Sequence, residues 1–188
     1  MTSVQRAYGD RMATGSWAVG TSALVVTVPA AEPLVGSWRS RYDPSAADGM
    51  PAHVTVLFPW LATAAVDADV LARLDSLVRK EPSFGLRLAE PARFPSTLYL
   101  RPEPDGPFRR LTAAVAETWQ DHPPNGGAYA DVVPHLTIAD QQSATVLDDV
   151  ESAIAPFDVI ETRVDAVELY AFDGAAWCPR HRSPLGPG

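Results

Sequence analysis

The chain has 188 residues, of which 46% are hydrophobic and 20% charged, and its formal net charge at pH 7 is −8. A chain of this length buries roughly 70% of the surface that its unfolded form exposes, which is enough for one sizeable domain. The acidic balance argues against a protein that binds long nucleic acid through its phosphates, because such binding needs a broad basic surface. The negative net charge is still compatible with a small anionic ligand that a few local groups bind.

The chain carries one cysteine, Cys178, which has no partner for an intramolecular disulfide and excludes a cysteine-rich zinc site. Its first residues, MTSVQRAYGDRMATG, lack the continuous apolar segment of a secretory signal, and no apolar run reaches the length of a membrane span. We therefore expect a cytoplasmic protein with no membrane partner. Residues 1–20 are expected to be flexible, because the start of the chain is polar and terminal.

The first half of the chain predicts the order strand, helix, strand, helix, strand. The predicted strands are short runs rich in β-branched residues, and the predicted helices repeat apolar residues at spacings of three and four. Pro44 is expected to stop the first helix, and Asp67 is placed to cap the second. The five elements cover residues 22–29, 30–43, 51–60, 66–80 and 84–90.

The second half predicts the same order of elements, followed by a hairpin that turns at Asp173-Gly174. Equivalent elements are offset by about 73 to 82 residues, which predicts an internal pseudo-twofold. The predicted class is α+β: one bilobal domain, with two βαβαβ lobes whose mainly antiparallel sheets flank a central cleft. The lobes are expected at residues 21–91 and 92–171, with a closing hairpin at 164–183. The five elements cover residues 96–101, 107–120, 132–139, 143–155 and 157–164. Ser143 is placed to cap the second helix of this half.

Two predicted strands carry the same polar pair. His53 and Thr55 lie in PAHVTVLFPW, and His135 and Thr137 lie in VVPHLTIAD. Residues two apart on a strand point to the same face, so each histidine shares a face with its threonine. If the two lobes face each other, both pairs lie at the central cleft.

Two histidines that face each other across a substrate suit in-line displacement at phosphorus. That reaction needs a base for the attacking oxygen and an acid for the leaving oxygen. Imidazole has an unperturbed pKa of roughly 6.5, so one ring can be neutral while its partner is protonated. Thr55 and Thr137 are candidates to donate hydrogen bonds to the non-bridging oxygens. This chemistry requires no metal and no other cofactor.

These two His-x-Thr motifs, on duplicated halves of a chain under two hundred residues long, resemble the 2H phosphoesterase superfamily. Within it they look most like the bacterial 2′-5′ RNA ligase-like proteins, also described as RNA 2′,3′-cyclic phosphodiesterases. The resemblance extends from about residue 20 to the closing SPLG. It implies metal-independent hydrolysis of a 2′,3′-cyclic phosphate, on a small nucleotide or an RNA end, with one histidine as base and the other as acid.

One residue departs from the pattern of this family. Relatives that act on RNA often carry an arginine three residues after the second threonine, where this chain has Asp140. A carboxylate repels a phosphate, so Asp140 argues against RNA ends as the substrate more than against the reaction class. A phosphodiester that is not RNA, or a 2′-5′ linked oligonucleotide, is the alternative substrate.

Three further interpretations fit the same residues. The motifs can be two hydrogen-bonded histidines of a half-buried sheet. His53 and His135 can also bind a metal together with a carboxylate such as Asp131 or Asp140. Finally, the cleft can belong to a nucleotide-binding module without useful catalysis.

Four residues outside the motifs are candidates for contact with the substrate. Tyr129 lies in a glycine-containing loop before the second motif, Phe58 follows the first, and Trp177 opens the last strand. Aromatic rings commonly stack on nucleobases, although Phe58 fits a core position equally well. Arg180 belongs to a local basic cluster that suits either a phosphate or the protection of a sheet edge.

Overall fold

The computed structural model describes residues 17–127 and 132–188. Within them, eight strands form a single sheet in the order β6-β3-β4-β5-β2-β1-β7-β8. The strands are β1 Ser22–Thr27, β2 His53–Leu57, β3 Phe84–Phe94, β4 Thr97–Glu103, β5 Leu136–Ala139, β6 Ile160–Val164, β7 Ala166–Phe172 and β8 Trp177–Pro184. The helices are α1 Glu32–Tyr42, α2 Pro44–Ala47, α3 Ala68–Val78, α4 Gly106–Thr118 and α5 Ala144–Ile154.

The helices cover one face of this sheet. Their apolar stripes pack on the strand residues that point to that side, such as Val54 of β2 and Leu136 of β5, both fully buried. Thr112 of α4 fixes the helix to the centre of the sheet, since its hydroxyl donates to the carbonyl oxygen of Val56 at 2.7 Å. Strand residues that alternate with this core therefore point to the opposite face, which the helices leave open.

Local signals in the sequence set the bounds of the helices. The Asp67 carboxylate accepts a hydrogen bond from the Val70 amide at 2.9 Å and caps α3, as predicted. Ser143 caps α5 through the Val146 amide at 3.4 Å, also as predicted. The chain leaves α1 at Tyr42, but Pro44 starts the short helix α2 rather than a loop, because a proline is well suited to a first helical position.

The α+β class and the antiparallel pairing of the strands are confirmed. The hydrogen bonds join all the strands into one sheet, and β3 pairs with β4 and β6 whereas β7 pairs with β1. The third strand of the first predicted lobe, β3, therefore lies with β4, β5 and β6 of the second lobe, and β7 of the closing hairpin joins β1. The reason is local: only residues 95 and 96 separate β3 from β4, and so short a connection makes a hairpin. The two motif strands, β5 and β2, still lie side by side at the centre of the sheet, and β4 and β1 lie at equivalent positions on either side of them.

Most of the terminal segment predicted to be flexible, residues 1–16, lies outside the described residues. Residues 17–20 are, in contrast, packed against the domain. The Trp17 ring contacts Phe58 and Trp177, and the Gly20 amide donates to the carbonyl oxygen of Phe172 at 2.8 Å. Over the described ranges, no helix has the length and apolar character needed to cross a membrane.

Candidate active site

Both His-x-Thr motifs lie on the open face at the centre of the sheet. Val54 of β2 is paired with Leu136 of β5, and both side chains belong to the helix-covered core. Their neighbours along each strand consequently point to the other side, and all four are only partly buried. These four residues are His53, Thr55, His135 and Thr137.

The antiparallel register arranges the four side chains as a square. Because Val54 lies opposite Leu136, one step along each strand places His53 opposite Thr137 and Thr55 opposite His135. Opposed residues on one face have Cβ atoms roughly 4.5–5.5 Å apart, so the histidine of each motif has the threonine of the other as its neighbour. The two histidines occupy a diagonal.

The two imidazoles are oriented by equivalent hydrogen bonds. The Nδ1 atom of His53 lies 2.7 Å from the carbonyl oxygen of Pro51, and the Nδ1 atom of His135 lies 2.7 Å from that of Val133. A carbonyl oxygen only accepts, so Nδ1 carries the proton and donates in both rings. Each ring thus keeps Nε2 for exchange of a proton with a substrate.

Burial disfavours the charged form of both histidines. Burial and then the nearby Arg39 guanidinium lower the pKa of His53 to about 4. Burial also lowers the pKa of His135, but the hydrogen bond to Val133 and the carboxylates of Asp140 and Asp43 oppose this effect. Both rings are therefore neutral near pH 7 in the free protein.

A buried ion pair lies within electrostatic range of this site. Arg39 of α1 is 1% exposed, and its Nη2 atom lies 2.8 Å from Oδ2 of Asp43, which is 5% exposed. The other carboxylate oxygen of Asp43 accepts from the amide and the hydroxyl of Ser45 at 2.9 Å and 2.8 Å. The sequence interpretation missed both residues, because an i,i+4 pair of opposite charge on a helix predicts an exposed face rather than burial.

Two aromatic rings flank His135. Tyr99 of β4, which lies opposite Thr137, has its ring centroid 5.4 Å from that of His135. Phe94, at the end of β3, contacts His135 edge-to-face at 5.2 Å and stacks on Tyr99 at 4.4 Å. Phe94 is only partly buried, so part of its side chain is exposed next to a motif histidine. No pattern in the sequence indicated that Phe94 and Tyr99 contact His135, since the sequence does not tell which strand lies beside β5.

Asp140 ends the strand of the second motif and is held by local hydrogen bonds. Its Oδ1 atom accepts from the Thr97 hydroxyl at 2.7 Å, and its Oδ2 atom accepts from the Gln141 amide group at 3.3 Å. Its backbone amide donates to the carbonyl oxygen of Tyr42 at 2.8 Å. The carboxylate is fixed next to the site, where it favours a protonated His135.

Two of the other sequence candidates belong to an aromatic cluster. Trp177 is 4% exposed and packs with Trp17, Phe58 and Phe172 in an aromatic cluster, so its ring faces are already covered. Phe58 is partly buried in the same cluster. Arg180 is exposed on β8, which β1 and β7 separate from β2. Tyr129 and Asp131 lie outside the described residues.

His181, next to Arg180 in the basic cluster, points to the helix-covered side. Its Nε2 atom lies 2.8 Å from Oδ1 of Asp75 in α3, and the same oxygen accepts from the Ser183 hydroxyl at 2.6 Å. The described part of the chain holds no group of three or more histidine, cysteine or carboxylate side chains arranged to bind a metal.

A family model described as the 2′-5′ RNA ligase superfamily matches residues 27–176, which is most of the chain and includes both motifs. A search of curated proteins found no match.

Solved structures with the same fold are similar over nearly their whole length. A crystal structure of a phosphoesterase has a TM-score of 0.55 and 18% identity, over 89% of this chain and 99% of that one. LigT of E. coli in complex with 3′-AMP has a TM-score of 0.53 and 18% identity, over 88% and 98% of the two chains. TT0787 of Thermus thermophilus has a TM-score of 0.55 and 20% identity, over 89% and 98%. At these identities the likeness concerns the fold.

Proposed function

Because the chain belongs to the 2′-5′ RNA ligase superfamily, whose members are 2H phosphoesterases, we propose that it is a phosphodiesterase that opens a 2′,3′-cyclic phosphate with His53 and His135 as acid and base. The substrate class is a small nucleotide or an RNA end. The observation that carries this proposal is the square of two histidines and two threonines, with both Nε2 atoms available.

In the proposed reaction, one neutral imidazole takes a proton from water through Nε2 while the water oxygen attacks phosphorus. The bond from phosphorus to one ribose oxygen breaks, and the other imidazole, protonated at Nε2, gives its proton to that oxygen. The product is a phosphomonoester. The hydroxyls of Thr55 and Thr137 donate to the non-bridging oxygens, which gain charge in the transition state.

We assign the role of base to His53 and that of acid to His135. The Arg39 guanidinium near His53 favours its neutral form, whereas the Asp140 carboxylate favours a proton on His135. Asp43 raises the pKa of both rings and does not separate them. An anionic phosphate bound between the rings raises both pKa values, so binding of the substrate promotes protonation of His135. Because a cation lies near His53 and a carboxylate near His135, we assign water activation to His53 and protonation of the leaving oxygen to His135.

The base of the nucleotide is proposed to contact Phe94. Its partly buried ring lies beside His135 and rests on Tyr99, which holds it in place. Stacking tolerates different bases, because every base has a π-face. Solved structures of LigT from E. coli include complexes with 3′-AMP, ATP and NADP+, which supports a small nucleotide as the ligand here.

The test is turnover of 2′,3′-cyclic AMP by the purified protein in the presence of EDTA, with the products separated by chromatography. We expect release of adenosine monophosphate at a rate that EDTA does not change. Saturable binding of nucleotides with no ester cleavage on long incubation would instead identify a nucleotide-binding module. Loss of activity in EDTA would support the metal site.

The second candidate is a phosphodiesterase with the same chemistry and a substrate that is not an RNA end. The fixed carboxylate of Asp140 favours it, because that charge repels the phosphates of a longer RNA near the second motif. A panel of 2′,3′-cyclic nucleotides, RNA with a cyclic end, and 2′-5′ linked oligonucleotides, ranked by kcat/KM, separates the two candidates.

A further inference from the structure

A cavity of about 370 Å³ lies between the end of β4 and the segment that precedes His135. One wall is Tyr99, whose ring contacts His135, and another is the Val133–Pro134 segment that leads into the second motif. Charged side chains of β4 and of the start of α4 complete the lining: Arg101, Glu103, Asp105 and Arg109. A space of this size accommodates a nucleotide-sized group.

Arg101 is the neighbour of His135 in the sheet. Leu100 of β4 lies opposite Leu136 of β5, and the next step in this antiparallel register places Arg101 opposite His135 on the open face. On the other half of the sheet, the residue opposite His53 is Thr27. The internal symmetry therefore breaks at this point, with a cation beside one histidine and a hydroxyl beside the other.

The charges around the cavity leave Arg101 uncompensated. The Glu103 carboxylate lies 3.0 Å from the Arg87 guanidinium, and the Asp105 carboxylate lies 2.7 Å from Nε of Arg109. Arg101 is exposed, and within residues 17–127 and 132–188 its side chain has no hydrogen bond or ion pair. A free guanidinium is thus held next to the site of a protein whose net charge is −8.

From this arrangement we propose that Arg101 and the cavity beside His135 bind a second phosphate group of the substrate, one that does not react. This inference rests on the proposed function, since it extends the same site. The second phosphate is either a 5′-phosphate on the reacting nucleotide or the phosphodiester that joins it to a preceding nucleotide. Guanidinium binds both groups through charge-assisted hydrogen bonds.

In this proposal Arg101 does not bind the reacting phosphate, because of its position in the sheet. The reacting phosphate lies between His53 and His135, whereas Arg101 lies on the far side of His135 from His53. A guanidinium there reaches a group that projects outward past His135 and into the cavity. Arg109 shapes that space, because its Nη1 atom donates to the carbonyl oxygen of Val132 at 2.8 Å and fixes the segment before the second motif.

The experiment compares kcat/KM for three substrates: 2′,3′-cyclic AMP, the same nucleotide with a 5′-phosphate, and the dinucleotide ApA with a 2′,3′-cyclic end. We expect the wild type to prefer at least one of the substrates with a second phosphate by about tenfold, mainly through KM. Arg101→Ala should remove this preference and change turnover of 2′,3′-cyclic AMP less than twofold. Arg101→Lys should restore part of it. The preferred substrate identifies the source of the phosphate.

The matched control is Arg79→Ala, which removes one positive charge from an exposed arginine at the end of α3 on the other face of the sheet. It should keep the full preference. Equal kcat/KM for all three substrates in the wild type would overturn the inference, as would an equal loss on all three in Arg101→Ala.

If the wild type cleaves none of the substrates, the proposed function fails, and calorimetry tests the inference separately. The probes are adenosine 3′-monophosphate, adenosine 3′,5′-bisphosphate and the 3′-phosphorylated dinucleotide ApAp. One of the latter two should bind the wild type about tenfold tighter than the monophosphate and lose this advantage in Arg101→Ala. Equal affinity of the wild type for all three would overturn the inference.

Discussion

Thr55 of the first motif lies opposite His135 of the second, because Val54 of β2 pairs with Leu136 of β5. The same register places Thr137 opposite His53. The two motifs are therefore interleaved, and each histidine lies beside a hydroxyl from the other half of the chain. A phosphate between the two rings has one hydroxyl on each side.

The proposed function gives both threonines a role in the reaction and little role in the fold. Within the described residues, neither the Thr55 nor the Thr137 hydroxyl has a hydrogen-bond partner. Thr55→Val and Thr137→Val, which keep the shape of the side chain, should each lower kcat by about 10²-fold. Thermal unfolding should change little, and Thr→Ser at either position should keep most of the activity. Full activity of both valine variants would exclude the hydroxyls from the reaction.

The depressed pKa of His53 makes stability depend on pH in a defined window. The pKa is about 4 in the folded protein and about 6.5 in the unfolded chain. Between these values the unfolded chain binds more protons, so the free energy of unfolding falls as pH falls from about 6.5 towards 4. His135 acts in the same direction. Between pH 7.5 and 5, His53 should account for a loss on the order of 2 kcal/mol.

Urea unfolding at pH 7.5 and at pH 5 measures this effect. His53→Gln removes the titrating group, so the fall in stability between the two pH values should be smaller in the variant than in the wild type. An identical fall in both proteins would show that His53 titrates normally in the folded state.

Replacing one partner of the buried pair Arg39–Asp43 should strongly lower the free energy of unfolding. Asp43→Ala leaves the buried Arg39 guanidinium with only the Glu32 carboxylate, whose Oε1 atom lies 3.9 Å from Nη1. Loss of one partner of a buried pair typically costs about 3–5 kcal/mol of unfolding free energy. The double variant Arg39→Met, Asp43→Leu should recover much of this loss, because no unpaired charge stays buried. Urea unfolding at pH 7.5 measures both.

The control for this pair is Arg87→Ala, which breaks the exposed pair between Arg87 and Glu103 at 3.0 Å. An exposed ion pair contributes roughly 0–1 kcal/mol, so this variant should be close to the wild type. If Asp43→Ala costs no more than Arg87→Ala, the buried pair has no structural importance.

Phe94 should affect binding of the substrate more than the chemical step. If the nucleotide base stacks on the Phe94 ring, Phe94→Ala should raise KM for 2′,3′-cyclic AMP by about 5- to 100-fold. This range corresponds to the loss of one stack between a base and an aromatic ring. Phe94→Trp should keep KM low, because it preserves a π-face. An unchanged KM in Phe94→Ala would place the base elsewhere.

The local part of the fold was predictable from the sequence. The caps Asp67 and Ser143 lie where the start signals of two helices placed them. The alternation around His53 and His135 correctly gave a polar and an apolar face on each strand, because side-chain direction on a strand depends only on neighbouring residues.

The order of the strands was not predictable in the same way. The sequence grouped β3 with the first half, whereas the structure pairs it with β4 and β6. Which strands become neighbours depends on contacts distant along the chain, and periodicity carries no information on these contacts. The same limit hid the proximity of Phe94, Tyr99 and Arg101 to His135, which arises only because β4 lies beside β5.

The central claim is that His53 and His135 carry out acid–base catalysis, and the most direct test is the single-turnover rate of 2′,3′-cyclic AMP hydrolysis in EDTA. His53→Ala and His135→Ala should each lower this rate by about 10²- to 10⁴-fold. His181→Ala is the control, since His181 contacts Asp75 on the opposite face of the sheet and should retain the wild-type rate. Folded His53→Ala and His135→Ala variants that both hydrolyse the substrate at the wild-type rate would contradict the account.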